Sequence, residues 1–536
     1  MSLSPQNGRY TDTRAPTLAE GWHLERLTRP SRLFGANGLR TGPDGRIYVA
    51  QVSGSQVSAL DLETGALETI SAPGSDIVAP DDVDFDPSGN LYVTEYYDGR
   101  VSVRGRDGRT RVLRDDLPGA NGITFHQGRL FIDECRVGGR LLELDLDGGS
   151  PRVLVENLPL PNAMEVGPDG LLYYPVMGTN DIWRIHPDGG TPERVVGDLG
   201  APDAVKFDSK GFIVSTQGHT GEVLRINPQS GEREVLASLD PGVDNLTFVG
   251  ERLFVSSFTG QITEILGGGR TKTLLPRGLS WPLDLTVGPD GNVYVADGHH
   301  FFVLQPGGEL ETVATLFSPG FPGNLRGLVA VGDGEFVTST TTGLVARYRP
   351  ADNACEVLAE GLDQVYGLDA GADGQVVVAE FGTGRVVSIR AGAVEPLASG
   401  LQKPLDVALA PDGGCFVSES GAGRVAHVDA GGVPTTALDG LQHPQGVLVR
   451  DGQLFVVDAG KKTLVALDLK TRARQTLASG LPVGTPDGVV LKPLRGIAPF
   501  TGPQAPFAGI AAGPDGGLYV SGDAEGSVLA LRKRAS

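Results

Sequence analysis

The sequence predicts an all-β protein: tandem β-propellers, with twelve four-stranded blades arranged as two six-bladed rings. Three observations predict it. The 536-residue chain carries 78 Gly and 37 Pro, so roughly one residue in five is a turn former. One pattern recurs from end to end: apolar-x-apolar, a PDG-type turn, then apolar-Tyr-Val-small-acidic. No helix-period segment of ten or more residues competes with it.

The repeat runs from GLRTGPDGRIYVAQ and VDFDPSGNLYVTE through LTVGPDGNVYVAD to IAAGPDGGLYVSG. Its turn glycines are Gly45, Gly89, Gly128, Gly170, Gly211, Gly250, Gly291, Gly334, Gly374, Gly413, Gly452 and Gly516. A spacing of about 43 residues is the size of a propeller blade. In each unit a strand enters the turn and a second leaves it. A third follows a Gly-rich loop (GRVSVRG, GEVLRIN, GRVVSIR), and a fourth is Val/Leu-rich (TRVLRD, REVLAS). Twelve blades exceed the usual four to eight in one ring, so two rings are expected.

The chain stops at SVLALRKRAS, one strand short of a blade, and an extra strand, HLERLTR, precedes the first unit. We expect HLERLTR to complete blade six, and TKTLL, after Gly267, Gly268 and Gly269, to complete blade twelve. The segments are then an N-terminal extension over 1–22, the first ring over 23–268 and the second over 269–536. The alternative is that HLERLTR closes blade twelve. A final gap enlarged by about 20 residues, LPVGTPDGVVLKPLRGIAPFTGPQAPFAG, sits in a crossover over the top of the second ring. It reads as a lid, a dock or a plain insertion.

The net charge of −20 disfavours nucleic acid and anionic membrane surfaces and suits a protein that binds cations and a small-molecule substrate. Three widely spaced cysteines, Cys135, Cys355 and Cys415, exclude a disulfide framework and favour a reducing compartment. The N-terminus has no signal-peptide core, and no run of 18 apolar residues occurs, so a cytoplasmic location is expected. Nothing in the sequence speaks to oligomeric state.

Function is legible at one position, two residues before the first apolar residue of each inner strand. The first six units place Asn37, Asp81, Asn121, Asn162, Asp203 and Asp244 there; the last six place Leu283, Arg326, Tyr366, Leu405, Gln445 and Ala508. Asn and Asp make up roughly a tenth of the chain, so six out of six is not a composition effect. Asx-turns at strand entries are the competing explanation, and the second ring argues against it. Converging carboxylate and amide oxygens suit a hard cation, calcium above all, whereas zinc would want His or Cys.

These residues and the blade repeat resemble the six-bladed calcium-dependent propellers of the gluconolactonase, senescence-marker and luciferin-regenerating family, with diisopropyl-fluorophosphatase and paraoxonase as relatives. The resemblance covers residues 20–275. It implies one metal held by a Glu in blade one, Asn in blades three and four and an Asp in blade five. Asn121, Asn162 and Asp203 fall on the last three, and Asn37 stands where the Glu belongs. It further implies a metal-dependent hydrolase of a lactone or related ester, with Asp203 as ligand and base; Asp81 or Asp244 is the alternative group to activate water. The second half resembles NHL-repeat proteins and virginiamycin-inactivating lyases, which keeps a metal-dependent lyase or isomerase open beside a non-catalytic scaffold.

Other candidates are weaker. His219, on a top-face loop, is a candidate proton shuttle. Tyr96, Tyr97, Arg136, Met177 and Phe258 suggest a mixed apolar pocket. Glu95 and Glu134 recur as Asp297, Glu380, Glu419 and Asp458 in the second half, so scaffold hydrogen bonding is expected of them. Asp44, Asp169 and Asp290 are turn formers, Asp145 and Asp147 a turn, and Trp22, Trp183 and Trp281 packing residues. The adjacent His299 and His300 have no further ligands beside them and are weak candidates, and the remote His126 is expected to be inert. No GxSxG, HExxH or P-loop occurs.

Overall fold

The computed structural model describes Arg9 and residues 15–534; the rest of the expected extension over 1–22 lies outside the described residues. Among the described residues twelve antiparallel sheets and two 3-10 turns, Met177–Thr179 and Pro350–Asp352, account for the regular structure. Each sheet holds a blade's four strands in sequence order, save that one gains a fifth strand and the last takes its outer strand from the N-terminal segment. Two compact units result. One comprises Leu33–Arg277 and Val490–Ile497, and is called the first ring. The other, the second ring, comprises Gly278–Val489, Ala498 onward and the described N-terminal residues up to Arg32. Among the described residues no helix is long and apolar enough to cross a membrane.

The signature residues explain the hairpins. In the PDG turns Asp44, Asp169 and Asp290 accept the backbone N–H two residues on, at 3.1–3.2 Å. Each also receives a tyrosine hydroxyl from the following strand: Tyr48 at 3.1 Å, Tyr173 at 2.8 Å and Tyr294 at 2.8 Å. The same carboxylate therefore forms the turn and anchors the outgoing strand. Between blades the core is apolar, as where Val101, Val103, Ile123, Ile132 and Leu142 pack together. Trp22 and Trp281 are buried and Trp183 partly so.

Strand exchange corrects one expectation. The strand Trp22–Arg26, which takes in the first four residues of HLERLTR, does not complete blade six. It pairs antiparallel with Ser527–Lys533, Trp22 opposite Lys533 and Arg26 opposite Leu529, and so closes blade twelve. Blade six keeps its own fourth strand, Arg270–Leu275, hairpinned onto Ile262–Gly267. Gly267, Gly268 and Gly269 all adopt positive φ, so this tight turn forms at little cost, and local closure wins over a distant partner. The ring boundaries accordingly fall at Arg32/Leu33 and Arg277/Gly278 instead of at 268/269. Thr17–Leu18 adds an unforeseen fifth strand to blade eleven, beside Ala478 and Ser479.

A relay of hydroxyls joins the blades. On the second strand of blade two, Thr94 Oγ1 accepts the N–H of Asp82 in its own blade and donates to the carbonyl of Asn121 in the next. Thr216 links Ala204 to Asp244 in the same way, and Ser339 links Gly327 to Tyr366. Ser256 Oγ donates to Asn37 O at 2.7 Å, which closes the first ring. Ser521 Oγ donates to Leu283 O at 2.7 Å, which closes the second. In these blades the hydroxyl is the "small" residue of the repeat signature; blades one, seven and nine carry Ala50, Ala296 and Ala379 there.

Candidate functional site

The relay ends on the polar position, and the local backbone explains why. The register shifts between Pro80 and Val83, Ala120 and Ile123, Pro202 and Val205, and Val243 and Leu246. Asp81, Asn121, Asp203 and Asp244 thus lie in β-bulges, which re-aim side chains at sheet rims. The second ring has the same irregularity, for example between Leu325 and Leu328 and between Val365 and Leu368. The bulge belongs to the scaffold; the side chain placed on it differs.

All six polar residues of the first ring are buried. Asn37 Nδ2 donates to Asp244 Oδ2 at 3.0 Å, and Asn37 Oδ1 accepts Val52 N–H. Asn162 Nδ2 contacts Met177 Sδ at 3.2 Å, and its Oδ1 accepts Ala163 N–H. Among the described residues, the side chains of Asp81, Asn121 and Asp203 form no hydrogen bond. A further carboxylate that sequence reasoning missed, Asp133, is fully buried on the second strand of blade three. Its Oδ1 accepts Gly122 N–H and its Oδ2 has no partner.

These carboxylates act on one another. Burial, then the charge of Asp82, pushes Asp81 up to about 8. Burial pushes Asp203 well above the usual carboxylate range, with Asp81 and Asp82 adding to it. Asp244 follows through burial and Asp203, and Asp133 through burial. Burial, reinforced by Asp133 and Asp203, drives the Cys135 thiol up too, so it stays protonated and is no nucleophile.

Beneath lies a charged tier. Arg40 donates to Glu165 at 2.8 Å and to the carbonyls of Val83 and Ile123, and lies 3.3 Å from Asp84; Lys206 reaches Glu165 at 2.8 Å. Burial would raise Glu165, but Lys206 and Arg40 outweigh it and hold the carboxyl at about 2. The same two cations oppose burial at Asp82, which settles at about 6. Asp81, Asp203 and Asp244 receive no such relief.

The donor set fits a hard cation: all candidates are oxygens, and several lack partners. Among the described residues no three His, Cys, Asp or Glu converge tightly enough to hold a metal alone, so a cation here would need the amide oxygens of Asn121 and Asn162 as well. His219 is exposed on its rim loop and is not among these buried groups. Glu95 and Glu134 are consumed by Arg100 and by Arg140 and Arg136 respectively, which makes them scaffold groups.

In the second ring the fully buried Arg326 occupies the corresponding position, stacked 4.1 Å over Tyr366 and donating to Val365 O at 2.9 Å. A cavity of about 390 Å3 lies in this ring, lined in part by Asp284, Asp369 and Asp406. Each of those carboxylates accepts two backbone N–H groups, one from the next blade: Leu328, Leu409 and Val447. They are inter-blade clasps.

The first ring is thus a six-bladed propeller with a buried oxygen-donor ring at its centre. Residues 9–259 match the family model described as the SMP-30/Gluconolactonase/LRE-like region. No curated protein matches the chain. Solved structures similar to it include a streptogramin B lyase, at 19% identity over 51% of this chain and 94% of that one, TM-score 0.39. Virginiamycin B lyase of Staphylococcus aureus is similar at 16% identity over 52% and 96%, TM-score 0.39. A putative gluconolactonase is similar at 17% identity over 47% and 95%, TM-score 0.39.

Proposed function

We propose that the first ring is a metal-dependent hydrolase of a lactone or related ester, with its reaction centre at the buried Asp/Asn ring. One observation carries this: buried, unpartnered Asp81 and Asp203 stand in its bulges, whereas the corresponding positions of the second ring hold Arg326, Gln445, Tyr366 and apolar side chains and no carboxylate. Asn37, Asn121, Asn162 and Asp203 would hold a divalent cation, calcium by donor chemistry. When bound, such a cation polarises an ester carbonyl and offsets the charge that develops on its oxygen.

The chain's own residues supply the rest. The Asn37 amide fixes the orientation of Asp244. Burial holds the Asp81 carboxyl at about 8, protonated at neutral pH. Beside the charge of a cation it would ionise and take the proton of an attacking water, with Asp244 or Asp203 as the other carboxylates able to do so. His219 at the rim offers the proton a way to solvent. Turnover of a lactone panel with added calcium, and its loss on chelation and in Asp203→Ala, is the test. An unsaturated product formed without water uptake would favour the lyase, and no turnover with no bound cation the scaffold.

A further inference from the structure

The second ring lacks the Asp/Asn series of the first but has a pocket on its top rim, of about 770 Å3, across blades nine, ten and eleven. Phe381 forms one wall and Gly421, Ala422 and Gly423 another. The polar side chains lining it are Lys403, Lys461, His443, Gln442 and Ser420. No carboxylate lines it, in a chain of net charge −20.

Two acids of these loops are turned inward and anchor the segments around the pocket. Asp458, fully buried, accepts the N–H groups of Gln442 and His443 at 2.9 Å and of Lys461 at 3.3 Å. Glu419, equally buried, accepts Gln402 N–H at 2.8 Å beside Lys403, and pairs with Arg424. The carboxylates thus anchor the segments that carry the cationic heads, and their own charge is spent on that task. Lys403 Nζ lies 5.9 Å from the centre of the half-buried Phe381 ring, so a cation and a flat apolar face stand side by side. Lys461 Nζ is held by Gly440 O at 2.5 Å.

We propose that this pocket binds a small organic anion: a phosphate or carboxylate group between Lys403 and Lys461, carried on a flat apolar body that lies against Phe381. The site is independent of the chemistry assigned to the first ring. Titration calorimetry of the full chain with phenyl phosphate, benzoate and inorganic phosphate tests it. We expect saturable, salt-sensitive binding of an aryl anion, weakened about tenfold or more in a Lys403→Met/Lys461→Met variant of unchanged melting temperature. Phe381→Leu should weaken phenyl phosphate or benzoate binding and leave inorganic phosphate unchanged. Tighter binding of phenyl phosphate identifies a phosphate ligand, and of benzoate a carboxylate. The absence of saturable binding by either aryl anion, or binding unaltered by the double lysine substitution, would overturn the proposal.

Discussion

Single side chains divide into those that build the rings and those free to do chemistry. Asp406 belongs to the first group. Asp406→Ala orphans the buried N–H groups of Val407 and Val447, so it should cost about 1–3 kcal/mol in denaturant melts without altering any response to calcium. Arg40→Met should cost more, about 3 kcal/mol, because it leaves Asp84 and Glu165 buried with less compensation. The Asn/Asp series was legible because it is strictly periodic and the second half lacks it. Asp133 was not: it sits one residue before the recurrent acid, and only the folded ring shows its unpartnered oxygen. The roles of Glu95 and Glu134 were legible because both halves share the pattern.

At the level of strands, the repeat revealed the blades because each hairpin is specified within about 15 residues by its own turn and tyrosine. The closing strand was harder to read. HLERLTR suits the edge of either ring, and its choice of Ser527–Lys533 depends on a register between opposite ends of the chain. A consequence follows for fragments. Residues 33–277 contain six complete four-stranded blades and should be soluble, with one cooperative melting transition. Residues 278–536 leave blade twelve without Trp22–Arg26 and expose the edge of Ser527–Lys533, so they should aggregate unless a peptide covering 15–32 is supplied. Solubility and scanning calorimetry of the two fragments check this. A fragment ending at residue 268 lacks Arg270–Leu275 and should fail for the same reason.

Across the whole chain, pH and cations should act differently on the two rings. The folded pKa of Asp81, about 8, and that of Asp284, about 7, stand above the ordinary carboxylate value through burial. A carboxyl raised on folding stabilises below its unfolded pKa and loses that contribution as pH rises through the folded one. In chelator, stability should therefore fall from about pH 4 up to about pH 8 in the first ring and about pH 7 in the second. Calcium should flatten that fall in the first ring alone, since Asp284 is already committed to backbone N–H groups and Arg326 occupies the second ring's polar position. The most direct measurement is calorimetric melting of the full chain at pH 8, with calcium and with chelator, alongside Asp203→Ala. One transition should rise with calcium, by about 2.7 kcal/mol of stability at a hundredfold excess over the dissociation constant. The other should stay fixed, and Asp203→Ala should abolish the shift. Melting indifferent to calcium and chelator, with no bound cation by metal analysis, would contradict a metal centre in the first ring.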